Sequence, residues 1–71
     1  MRIFRERGVA DLFRLLREEP QLLRGAFIAD KVVGKGAAAL MVLGGVEGLF
    51  ADVVSRPALE LLAGAGIAVE Y

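Results

Sequence analysis

The chain has 71 residues, neither cysteine nor histidine, and nine basic side chains balanced by nine acidic ones. Without thiolate or imidazole, structural and histidine-built catalytic zinc sites, disulfides, iron–sulfur clusters, c-type haem and a Ser-His-Asp triad are all excluded. Its 56% apolar content and mean hydropathy of +0.57 are high for so short a chain, which buries only about 60% of its unfolded surface. That surplus predicts self-association.

The charge is unevenly spread. Residues 1–24 hold six arginines against four acids, whereas residues 25–71 hold Lys31, Lys35 and Arg56 against five. Neither half is basic enough to recruit nucleic acid. Met1 is followed by charged residues rather than an apolar targeting segment. The longest uncharged run, Gly36 to Val46, is too short for a bilayer and carries three glycines. A soluble cytoplasmic protein is expected, with no nucleic-acid or membrane partner and no cofactor.

In chain order, Arg2 to Arg7 reads as the tail of a strand, with Ile3 and Phe4 its apolar pair, turning at Gly8. Val9, Leu12, Phe13, Leu15 and Leu16 then repeat at helical spacing, and Pro20 ends that helix near Glu19. Gln21 to Gly25 is a connector with room for one more turn. Asp30 is positioned as an N-cap for a buried helix running through Val32, Val33, Leu40 and Leu43 to Gly44-Gly45. Within it Gly34, Gly36 and the alanines 37–39 make a thin helix that a neighbour could approach closely. Val46 to Val54 is a strand, Ser55-Arg56-Pro57 starts a helix over Ala58 to Ala63, and Gly64-Ala65-Gly66 closes it. Ile67 to Tyr71 is a last strand, parallel to the one before.

Several motifs carry chemistry. Gly34-Lys35-Gly36-Ala37-Ala38-Ala39 matches G-x-G-x-x-A, and Asp52 follows eighteen residues after Gly34, the outline of a dinucleotide fingerprint. A helix already begun at Asp30 leaves those glycines to packing instead, and the P-loop pattern lacks its hydroxyl. Lys31 and Lys35, four apart beside Asp30, suit an anion at a positive helix end, or are simply solvated. Ser55 is explained by capping, and Arg56 either binds an anion there or faces solvent. Tyr71 reads as an interface or edge residue.

The run Ala29-Asp30-Lys31-Val32-Val33-Gly34-Lys35, followed by Gly44-Gly45-Val46, Ala51-Asp52, Ser55, Ala58-Leu59 and Gly66-Ile67, resembles the prokaryotic domain-of-unknown-function family 1893. The resemblance covers about Gly8 to Tyr71. It implies a three-layer α/β/α fold like that of cytidine deaminases, with a partial mixed sheet, in a single domain over residues 1–71. Deaminases place zinc ligands at two helix starts; the comparable positions here, 29–31 and 55–57, hold none, so zinc-dependent deamination does not carry over. Gly36 stands where the family usually has alanine. The family's N-terminal helix and strand hairpin are reduced to Ile3-Phe4, either by truncation or because a second copy replaces them.

The resemblance also implies that both helix starts face one rim, gathering Asp30, Lys31, Lys35, Ser55 and Arg56 as a ligand-binding set without metal. The expectation is an uncharacterised protein that takes a small anionic ligand there. Two alternatives stand beside it: an obligate homo-oligomeric structural or interaction module, and an enzyme using Asp30 with Lys31 or Lys35 for acid–base chemistry. Whether it is an enzyme at all is left open.

Overall fold

The computed structural model describes residues 2–5 and 8–71. Its elements are β1 (Ile3–Arg5), α1 (Val9–Glu18), α2 (Pro20–Leu23), β2 (Phe27–Val33), α3 (Lys35–Gly44), β3 (Gly48–Val54), α4 (Arg56–Gly64) and β4 (Ala68–Glu70). The expected α/β class is what the chain adopts. Glu6 and Arg7, the end of the first expected strand, lie outside the described residues.

The α1 helix forms where the 3.6-residue period predicts it, with Leu12 and Leu15 buried and Arg14 bonded to Asp11 at 2.8 Å on the outer face. That hydrogen bond and the Asp11 charge raise the already high pKa of the Arg14 guanidinium. Pro20 both stops α1 and opens α2, where a missing N–H is harmless at the first position.

The expected start of the buried helix fails. Asp30 does not cap a helix: it lies in the middle of β2, and its Oδ1 accepts from the Lys31 backbone N–H at 2.7 Å. The β-branched pair Val32-Val33 and the apolar Phe27-Ile28-Ala29 carry the strand through this charged centre. The helix therefore begins only at Lys35, with Gly34 as N-cap.

All three strand pairings are parallel, in the order β1-β2-β3-β4, so the sheet is not mixed. Parallel neighbours need crossovers, which are overwhelmingly right-handed. When strands follow in sequence order, every crossover turns to the same side. The helices accordingly form one layer, with α3 packed between α1 and α4. Two layers stand where three were expected.

A left-handed turn at Gly45 (φ 71°) redirects the chain from α3 toward β3, and Gly25 and Gly66 do the same before β2 and β4. The core lies between the sheet and the helices: Ile28, Val33, Leu49 and Ala51 meet Leu12, Leu15, Leu23, Ala38, Met41, Ala58 and Leu62. No described helix is long and apolar enough to cross a membrane.

Close packing does not use the glycines that the sequence suggested. A Cβ at Gly34 or Gly36 would meet nothing within 4 Å, whereas one at Gly44 would lie 3.0 Å from Leu23 Cβ. Gly44→Ala should therefore lower stability by about 1 kcal/mol despite better helix propensity. Gly36→Ala should raise it by roughly 0.5–1 kcal/mol. Thermal melts of the two variants check both signs, each kcal/mol moving Tm by about 4–8 °C at this size.

Candidate functional site

In a parallel sheet every strand points its carboxyl end at the same rim, and each following helix starts there. Here α3 begins two residues after Val33 ends β2, and α4 begins two residues after Val54 ends β3. Val33 and Val54 are register partners, and the Ser55 N–H donates to the Val33 carbonyl at 3.0 Å. That bond crosses from the start of α4 to the end of β2. The two helix starts are thus side by side, about 10 Å apart as packed helices are.

The five expected residues divide between two places. Lys35 and Arg56 are exposed and occupy the first positions of α3 and α4, with Ser55 half-buried as the α4 N-cap. Asp30 and Lys31 belong instead to β2. The helical i,i+4 pairing of Lys31 with Lys35 does not exist, because a strand and a helix junction separate them.

Asp30 and Lys31 line an open cleft of about 430 Å³ with Arg5, Ala29 and Asp52. Two cations there face two carboxylates. A neighbouring cleft of about 400 Å³ shares Ala29, Asp30 and Asp52 and adds Phe50, Ala51, Glu70 and Tyr71. Its side chains are acidic on balance. Neither cleft includes Lys35, Ser55 or Arg56. Arg5 and Glu70 were not singled out from the sequence; their common placement follows from the register Arg5–Ala29–Phe50–Glu70 across four strands, which no local pattern encodes.

The two helix starts differ in their caps. Ser55 Oγ accepts from the Ala58 N–H at 3.3 Å, as a serine N-cap should. Gly34 offers α3 no side-chain acceptor. Neither helix has an acidic residue in its first turn, and each opens on a cation. That is the reverse of what the positive end of a helix favours.

The G-x-G-x-x-A segment does follow a strand and open a helix, correcting the placement of its glycines inside a longer helix. The sheet, however, has no reversal of strand order and so no crevice of the kind that holds a dinucleotide. Acid–base chemistry by a desolvated lysine would need a buried one, and Lys31 and Lys35 are both exposed. Among the described residues no group of three carboxylates, thiols or imidazoles could hold a metal ion.

The family model described as a domain of unknown function (DUF1893) matches residues 1–71. The chain belongs to the DUF1893 family. No curated protein matches it significantly. The DUF1893 assignment agrees with the resemblance carried by Ala29 to Lys35, and it brings no activity with it.

Ser55 acts as a cap, so Ser55→Ala should cost about 1 kcal/mol of stability and lower Tm by about 4–8 °C. Ser55→Asp, which keeps an acceptor and adds favourable charge, should restore it, as thermal melts would show.

Proposed function

We propose that this DUF1893 domain binds a small anion, phosphate- or carboxylate-bearing, between the starts of α3 and α4. The observation that carries the reading is the pair of first-position cations, Lys35 and Arg56, at helix ends lacking any first-turn acid. A cation in that position loses about 0.3–1 kcal/mol against the helix dipole. An anion at the same place reverses the sign for both helices and both side chains at once. The bare backbone of Gly34 leaves the α3 N–H groups open to it, with nothing within 4 Å where a side chain would stand.

The strand cleft is the poorer candidate for an anion, because Asp30 and Asp52 offset Arg5 and Lys31 there. Zinc-dependent deamination has no part in the reading, since the chain contains neither histidine nor cysteine.

Thermal shift and calorimetry with inorganic phosphate, pyrophosphate and malonate test it. A probe at about 100 times its Kd should stabilise the fold by about 2.7 kcal/mol. Lys35→Glu should do two opposite things: raise anion-free stability by about 0.3–1 kcal/mol and weaken the probe at least about tenfold. The double variant Lys35→Ala, Arg56→Ala should show no shift. A response to none of the three probes, or one that survives in the double variant, would refute the site.

A further inference from the structure

One-sided crossovers leave the opposite face of the sheet without a helix. Phe4, Ile28, Leu49 and Val69 point to the core, so their neighbours in each strand point away from it. Two register rows result. The first is Ile3–Phe27–Gly48–Ala68 and the second Arg5–Ala29–Phe50–Glu70. Phe27 leans over Gly48, whose added Cβ would lie 2.7 Å from its ring, and stacks on Phe50 with centroids 6.0 Å apart. The centre of the bare face is thus an aromatic ridge flanked by alanines, with Ile3 at one edge.

The charges of that second row sit at its ends, Arg5 on the β1 edge and Glu70 on the β4 edge, and exposed Lys31 and Asp52 follow two residues further along β2 and β3. We propose that a second copy of this chain covers this face, sheet on sheet, about a two-fold axis parallel to the strands and lying in the interface. That operation places β1 of one copy over β4 of the other. Each Arg5 meets the partner copy's Glu70, twice per dimer. It also lays Phe50 over Ala29 and Ile3 over Ala68, large on small. Any other stacking of two such faces with strands parallel leaves the charged edges unmatched.

The four strands present roughly 300 Å² of projected face per copy, from strand spacing and rise. A permanent interface takes about 800 Å² per partner. The dimer is therefore a reversible one, with a Kd in the micromolar range or weaker. The aligned packing angle of two twisted sheets, about 30°, suits four short strands.

Sedimentation equilibrium across micromolar to millimolar protein tests the proposal, with circular dichroism to show that each variant is folded. Wild type should shift from monomer to dimer with concentration. Phe50→Asp should remain monomeric throughout. Arg5→Glu, which sets like charges together at both contacts, should weaken association at least about tenfold. Adding Glu70→Arg to it should restore the wild-type Kd, a recovery that edge-to-edge strand pairing or docking of an unrelated helix would not produce. A chain that stays monomeric, an association indifferent to Phe50→Asp, or a charge swap that fails to restore it each overturns the proposal.

Discussion

Everything in this domain depends on one constraint: its strands are all parallel and lie side by side in the order of the chain. A right-handed chain cannot make that pattern without turning to the same side at every crossover. The helices are thereby confined to one layer, and all the large buried side chains lie between it and the sheet. The same constraint brings the starts of α3 and α4 to one rim. It also strips the far face of cover. The candidate anion site and the proposed dimer face are two consequences of a single topological fact.

The balance of stability follows from it. A one-sided core in 71 residues is small, and Phe13, Val32, Leu43, Phe50 and Val53 are left exposed. Fully burying a side chain of that size contributes about 1.5–3 kcal/mol. A domain whose whole stability is only about 5–15 kcal/mol has good reason to cover some of them. At the rim the deciding contribution is charge. Lys35 and Arg56 stand at the positive ends of their own helices, where the dipole favours an anion over a cation. The candidate anion site and the proposed dimer face lie on different parts of the molecule and are tested by different variants.

The α1 and α4 helices were legible because their signals are local. Leucines at three- and four-residue spacing, Pro20, and a Ser55 hydroxyl within reach of Ala58 are settled within one or two turns. The β2 strand was not. Asp30 and Lys31 interrupt its apolar pattern, and an aspartate ahead of a long apolar stretch looks like an N-cap. What makes Phe27 to Val33 a strand is its ladder to Ile3–Arg5 on one side and to Gly48–Val54 on the other, some twenty residues away in each direction. Losing β2 also merged Lys31 and Lys35 into one helix face and hid the glycine pair at a strand–helix junction.

The sequence alone determined the chemistry that is absent: without histidine or cysteine, no rearrangement of the chain could create a zinc deaminase. It also determined the α/β class, the family, the Ser55 cap and Arg56 as the cation that opens α4. Only the tertiary structure decided that Asp30 and Lys31 part company with Lys35, Ser55 and Arg56. It alone decided that the helices form one layer and that Arg5 and Glu70 share a row across the bare face. The reason is physical: composition and caps act within a turn of helix, whereas strand order and register are set by hydrogen bonds between segments distant in the chain.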